Sequence, residues 1–120
     1  MEIPKDLVAA SSAPLVLSIL ADGDSYGYAI IKRVAELSGG ELAWTEGLLY
    51  PLLHRLERQG HIEGSWGASE TGRRRKYYRL TSAGRSALGE HQSQWRAVAA
   101  ALESAWTRSI TDRGTVGVFA

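Results

Sequence analysis

The sequence predicts a mainly α-helical fold with one β-hairpin, and three features of the 120-residue chain support this prediction. Apolar residues recur at helical spacing in three segments ahead of position 60. Two short segments rich in aromatic residues then flank a loop that contains glycine and arginine, as in a β-hairpin. A long segment with helical periodicity follows. Three helices, a hairpin and a further helix, in this order, indicate a winged helix-turn-helix with a long C-terminal helix.

The segment 45–60 is predicted to form an amphipathic helix that organises the rest of the chain. Thr45 is suited to cap its start and Gly60 to end it. Pro51 removes a backbone hydrogen bond to Gly47, so we expect a kink there. The apolar side carries Leu48, Leu49, Leu52, Leu53 and Leu56, and the opposite side carries Glu46, Gly47, Tyr50, His54 and Arg58.

Two helices are predicted ahead of this segment, over about 4–21 and 26–38. Pro14 lies inside the first, so that helix either begins near Ser12 or bends at the proline. Asp24 or Ser25 is suited to cap the second helix.

The two predicted strands, 61–66 and 76–81, form a hairpin with a strongly basic flank. Between positions 73 and 79 the chain carries five positive charges and no acidic residue. The net charge of the whole chain is only +1, so the basic character is concentrated here. Basic residues on such a wing lie near the phosphates that border a groove of DNA.

A helix predicted over 82–108 carries an apolar seam, because Leu88, Trp95 and Leu102 recur at intervals of seven. Val98, Ala99 and Trp106 fall beside them. The chain has no second long helix to cover this seam, so we expect it to be buried against a second copy of the chain. The alternative is that the helix folds back on the first one. The predicted division is therefore a winged domain (1–81), a dimerisation helix (82–108) and an unplaced tail (109–120).

Several classes of function find no support in the sequence. The absence of cysteine excludes disulfides, thiolate metal sites and a catalytic thiol. His54, His61 and His91 fall on different elements, and no phosphate-binding glycine loop is visible. We therefore expect no enzyme, cofactor or metal site. The apolar run 13–21 is too short to span a membrane, and the acidic opening at Glu2 argues against a signal peptide, so a cytoplasmic location is expected.

Three motifs carry a resemblance to a known family. They are Y-G-Y at 26–28, L-Y-P-L-L-x-R-L-E at 49–57 and K-Y-Y-x-L-T at 76–81, and they occur in order within a match over 15–88. In these motifs the chain resembles the PadR family of transcriptional regulators, and its short C-terminal part resembles the subfamily with one long helix after the wing. The resemblance implies a winged-helix DNA-binding domain, a homodimer through the C-terminal helix, and repression from a partly palindromic operator.

If the helix over 45–60 enters a major groove, its exposed face meets the bases. Gly47 would allow a close approach of the backbone, and Tyr50 would contact a phosphate or a thymine methyl. For Glu46 two roles stay open, acceptance of a hydrogen bond from cytosine or a favourable charge at the helix start. The residues expected at the DNA are Lys32, Thr45, Glu46, Gly47, Tyr50, His54, Arg58, Arg73, Arg74, Arg75 and Lys76. The alternative function is a winged-helix module that binds another protein and no DNA.

Trp95 has two interpretations. In some drug-responsive members of the family that the chain resembles, a tryptophan midway along the C-terminal helix stacks on flat aromatic effectors. His91 and Gln92 would then be its neighbours in an effector site. The other interpretation is that Trp95 fills the seam between two protomers and meets no ligand.

Overall fold

The computed structural model describes the backbone of residues 1–114 and the side chains of residues 1–108. The elements are α1 (Lys5–Ala21), β1 (Ser25–Tyr26), α2 (Gly27–Leu37), α3 (Glu46–Arg58), β2 (Ile62–Ala68), β3 (Arg74–Leu80) and α4 (Ser82–Gly114). The predicted mainly α winged helix with a long C-terminal helix is confirmed.

Helix α1 is continuous through Pro14 and begins well before Ser12, so a helix that starts near Ser12 is ruled out. The carbonyl oxygen of Pro14 accepts a hydrogen bond from the hydroxyl Oγ of Ser18 at 2.7 Å. The C-terminal half of α1 faces the core through Val16, Leu17 and Leu20.

The sheet has three strands in the order β1-β3-β2, all antiparallel, whereas the sequence predicts only two. Strand β1 pairs Tyr26 with Tyr77. This pairing holds Tyr26 in an extended conformation as the residue before α2, and its side chain makes no capping bond. The prediction that Asp24 or Ser25 caps α2 is therefore wrong. A strand of two residues is too short to show alternation in a sequence.

Helix α3 has the ends that the sequence predicts. Thr45 Oγ1 accepts a hydrogen bond from the backbone N–H of Leu48 at 3.2 Å. At the other end Gly60 has a positive φ of 76°, and the N–H of His61 donates to the carbonyl of Leu56 at 3.0 Å, as in a Schellman motif. The helix continues through Pro51.

The core is built around the leucines of α3. Leu49 and Leu53 are fully buried and Leu56 nearly so, and burial of such a side chain stabilises a fold by about 1.5–3 kcal/mol. The buried residues that pack with them come from α1, α2, the linker ahead of α3, α3 itself, the sheet and the start of α4, and are Val16, Leu17, Ile19, Leu20, Ile30, Val34, Trp44, Leu52, Ile62, Tyr78, Leu80 and Leu88.

Thr81 joins the start of α4 to the end of α3. Its hydroxyl donates to the carbonyl of Gly60 at 2.6 Å and accepts from the N–H of Gly84 at 3.0 Å. Gly84 is buried, and a Cβ at this position would collide with the backbone carbonyl of His61. Glycine is therefore required at this point of the helix.

The tip of the hairpin is fixed by a short hydrogen-bonded loop. The N–H of Ser69 donates to the carbonyl of Arg73 at 2.8 Å, and the N–H of Gly72 donates to the carbonyl of Ser69 at 2.9 Å. Gly72 has a φ of 81°, a conformation that favours glycine. These hydrogen bonds close the turn between β2 and β3.

The chain divides into two compact units, Met1–Leu88 and Gly89–Ala120. The first includes the first seven residues of α4, and Leu88 is only 7% exposed there. Leu88 therefore belongs to the core of its own chain, and its prediction as a residue of the dimer seam is corrected. Helix α4 continues to Gly114, past the predicted end at 108, and positions 115–120 of the predicted tail lie outside the described residues. Within the described part of the chain, no helix has both the length and the apolar character needed to cross a lipid bilayer.

Candidate nucleic-acid interface

An open groove of about 610 Å³ lies between the start of α2, the exposed face of α3 and the hairpin of β2 and β3. We call it the α3–wing groove. It brings together most of the residues that the sequence predicts at DNA, namely Glu46, Tyr50, His54, Arg73, Arg74, Arg75 and Lys76. It is also lined by Tyr26, Gly27, Tyr28, Trp66 and Tyr78, none of which is predicted as a contact. The groove joins a helix face to a basic hairpin.

The remaining predicted contacts lie outside the lining of this groove. Thr45 caps α3, and Gly47 follows on the exposed face, where an added Cβ would meet only Thr45 Oγ1, at 3.7 Å. Arg58 is exposed at the far end of α3. Lys32 lies on α2 and lines a separate depression that also holds Asp22 and Asp24.

Tyr50 rests directly on the backbone of Gly27. A Cβ at position 27 would stand 2.5 Å from the hydroxyl oxygen of Tyr50 and 3.0 Å from its ring carbon Cζ. Any larger residue would therefore displace the phenol. The glycine of the Y-G-Y motif thus leaves the room in which the Tyr50 hydroxyl lies, and sequence reasoning missed this role because the two residues lie on different helices.

Two of the three wing arginines lie over aromatic rings, one on each face of the hairpin. Alternation along β3 directs Arg74 and Arg75 to opposite faces. The guanidinium carbon of Arg74 lies 4.6 Å from the centroid of the Trp66 ring, and that of Arg75 lies 3.7 Å from the centroid of Tyr26. Trp66 is 60% exposed, so it is not a core residue.

Lys76 is held by a carboxylate of α3. Its Nζ lies 3.1 Å from Oε1 of Glu57, and both side chains are more than two-thirds buried. An added Cβ on Gly64 would collide with the Lys76 side chain. The lysine can therefore cross β2 only because position 64 carries no side chain. The charge of Lys76 therefore has a carboxylate partner in the folded chain, and its contact with DNA stays a prediction. The pair ties the wing to α3.

Tyr78 lies beneath this pair and is 2% exposed. Burial, with smaller contributions from the charge of Glu57 and from Tyr50, raises the pKa of Tyr78 from 10.0 to about 12. The folded protein thus favours the neutral, protonated form of this phenol.

The raised pKa of Tyr78 predicts a loss of stability at alkaline pH. Below pH 10 the phenol is neutral in both states and the stabilisation is complete; as the pH rises towards 12, ionisation favours the unfolded chain. We expect the free energy of unfolding to fall by on the order of 2 kcal/mol more in the unaltered protein than in Tyr78→Phe. Urea unfolding at a series of pH values from 9 to about 11.5 measures this difference. An equal fall in the free energy of unfolding of the unaltered protein and of Tyr78→Phe would contradict this prediction.

Comparisons with known proteins identify the family of the chain. The sequence profile of the PadR-like family of transcriptional regulators matches residues 16–90, which is more than half of the chain and includes every element that lines the groove. The chain belongs to the PadR family. It is thus a member of a family of transcriptional regulators, as its three sequence motifs indicate.

Individual proteins also resemble this chain, in sequence and, where their structures are solved, in fold. A solved transcriptional regulator from Clostridium thermocellum shares 31% identity with a TM-score of 0.76, over 83% of this chain and 97% of that one. A PadR-like regulator from Bacillus cereus shares 28% identity with a TM-score of 0.74, over 83% and 95% of the two chains. A transcriptional regulator of Mycobacterium tuberculosis is 39% identical over 75 residues, which are 62% of this chain and 66% of the relative.

Proposed function

We propose that this PadR-family regulator is a dimeric repressor that binds duplex DNA at a partly palindromic operator. Helix α3 would enter the major groove, and the wing would follow the phosphates beside it. The observation that carries the proposal is the α3–wing groove, in which Tyr50 and His54 of the helix face the same space as the wing arginines.

The exposed face of α3 suits an approach to base edges. Gly47 offers no side chain, and the space above it is open. Tyr50 is 39% exposed, and its hydroxyl lies against the backbone of Gly27 in the lining of the groove. A phenolic hydroxyl both donates and accepts hydrogen bonds, so it suits a phosphate oxygen or a base edge.

The charges of the wing suit phosphates. Among the described residues, the ion pairs of the hairpin are Lys76 with Glu57 and Arg79 with Glu63, and none joins a carboxylate to Arg73, Arg74 or Arg75. Three adjacent arginines without a carboxylate partner favour a polyanion. They also favour DNA over the alternative of a protein-binding winged helix, which has no need of this cluster.

The unit that begins at Gly89 supports the proposed dimer. Trp95, Val98, Leu102 and Trp106 are between 37% and 55% exposed, and together with Ala99 they lie on one face of α4. Large apolar side chains at heptad spacing are suited to a partner helix. The proposal extends to a small flat aromatic effector stacked on Trp95 beside His91 and Gln92, which would release DNA by changing the spacing of the two α3 helices.

The experiment that tests the proposal is a salt titration of DNA binding. The probe is the duplex upstream of the chain's own gene, with binding followed by fluorescence anisotropy between about 50 and 200 mM salt. The unaltered protein is expected to lose affinity by roughly 1,000-fold or more over this range. Replacing Arg73, Arg74 and Arg75 by alanine removes six arginines from the proposed dimer and should reduce the slope of log affinity against log salt by about 5.

Arg79→Ala is the matched control, because Arg79 belongs to the same hairpin but its Nε lies 2.9 Å from Oε2 of Glu63. Its slope should stay within one unit of that of the unaltered protein, on the order of a single phosphate contact. Binding that ignores salt, or no binding to any duplex, would overturn the DNA proposal in favour of a protein partner.

A further inference from the structure

Arg75 differs from the other two wing arginines in its surroundings. It is half-buried, whereas Arg73 and Arg74 are exposed. Its guanidinium carbon lies 3.7 Å from the centroid of the Tyr26 ring. At so short a separation the planar guanidinium lies along the ring, since an edge-on group would press its hydrogens into the ring carbons. Its N–H groups then point sideways and are free to donate to an anion.

The side chain of Tyr26 is itself supported by the sheet. Strand β1 consists of Ser25 and Tyr26 alone, and it pairs Tyr26 with Tyr77 of β3. The two rings meet edge to face, with centroids 5.7 Å apart and planes at 74°. The Tyr77 ring in turn lies against Gly67 of β2, where an added Cβ would stand 3.2 Å from two ring carbons. All three strands thus support one aromatic platform, and Arg75 lies on it.

We propose that Tyr26 is a positioning residue that holds Arg75 ready for a phosphate of the bound DNA. The inference rests on the proposed function and adds to it a role for β1, the strand that brings Tyr26 to the wing. A guanidinium that already lies on a ring loses less side-chain entropy when it binds a phosphate. Its contact with the phosphate is therefore more favourable than the same contact made by a freely rotating arginine. Tyr26 contributes to binding through Arg75 and needs no contact with DNA of its own.

Arg74 and Trp66 provide a matched comparison on the other face of the wing. Their separation is longer, at 4.6 Å, and both side chains are exposed. An exposed cation on an exposed ring is held less firmly. The coupling between Arg74 and Trp66 in DNA binding should therefore be smaller than that between Arg75 and Tyr26.

A double-mutant cycle on DNA binding tests the proposal, with a mixed-sequence duplex as probe. Arg75→Ala should weaken binding about 5- to 10-fold and lower the salt slope by about 2, because each protomer of the proposed dimer loses one contact. Tyr26→Leu should weaken binding about 3- to 10-fold when Arg75 is present and less than about 2-fold in the Arg75→Ala background. Tyr26→Phe, which keeps the ring, should retain nearly the parental affinity. The cycle of Trp66→Leu with Arg74→Ala should show the smaller coupling.

Equal losses from Tyr26→Leu in both backgrounds, or a loss from Tyr26→Phe as large as from Tyr26→Leu, would overturn the proposal. Circular dichroism establishes that each variant is folded. If Tyr26→Leu does not fold, Tyr26→Val takes its place in the cycle with the same two outcomes, because a β-branched residue suits a strand. Failure of the proposed function itself is distinguishable, since the unaltered protein would then show no salt-dependent binding to the duplex.

Discussion

Gly84→Ala is expected to lower the melting temperature by about 10 °C, although alanine is the better helix former. In an open helix position the change would stabilise the protein by up to about 1 kcal/mol. At Gly84 the added Cβ would collide with the backbone carbonyl of His61. That carbonyl cannot turn aside, because it accepts a hydrogen bond from the N–H of Thr81 at 3.1 Å. Overpacking of this kind costs about 1–3 kcal/mol, and each kcal/mol corresponds to roughly 4–8 °C in a domain of this size.

Gly89→Ala is the control for this prediction. Gly89 lies on the same helix and is exposed, and an added Cβ there would meet nothing within 4 Å. Its melting temperature should equal or exceed that of the unaltered protein. Thermal unfolding followed by circular dichroism compares the two. A Gly84→Ala protein as stable as Gly89→Ala would show that the junction of α3 and α4 tolerates a side chain.

Leu102→Glu is expected to convert the proposed dimer to a monomer. Leu102 is 45% exposed within one chain, so a charge there leaves the fold of the single chain intact. In a dimer seam the same charge would be buried without a partner, which costs several kcal/mol. Since a dimer binds a palindrome through two linked contacts, operator affinity should fall by roughly 100-fold or more. Light scattering coupled to size exclusion measures the mass.

Ser104→Glu is the matched control. It introduces the same charge two residues further along, and about 200° around the helix, on the side away from the exposed apolar residues. Its mass and its operator affinity should match those of the unaltered protein. A Leu102→Glu protein that still has twice the mass of the chain would place the dimer contact elsewhere.

The features that the sequence predicts correctly are local ones. The cap at Thr45, the turn at Gly60 and the leucine face of α3 each depend on residues within a few positions of one another. Their chemistry can therefore be recognised without knowledge of the fold. The wing is predicted for the same reason, because two aromatic strands and a glycine-bearing loop are adjacent in the chain.

The features that sequence reasoning missed depend on contacts between distant positions. Strand β1 exists because Tyr26 meets Tyr77, 51 positions along the chain. The paired charge of Lys76 depends on Glu57 of another element, and no local pattern reveals which lysine on a basic wing has a carboxylate beside it. Leu88 has the spacing of the seam, yet the core of the first unit takes up its side chain.

The short loop at the tip of the hairpin has a consequence for how PadR-family wings can change in length. Tyr78 and Leu80 are buried on one face of β3, and β3 also pairs with β1, so the face on which each β3 side chain lies is determined outside the loop. A residue inserted between Ser69 and Gly72 should therefore lengthen the loop and leave Arg75 against the ring of Tyr26. Evolution or an engineer can thus extend the tip of the wing without moving the arginines behind it.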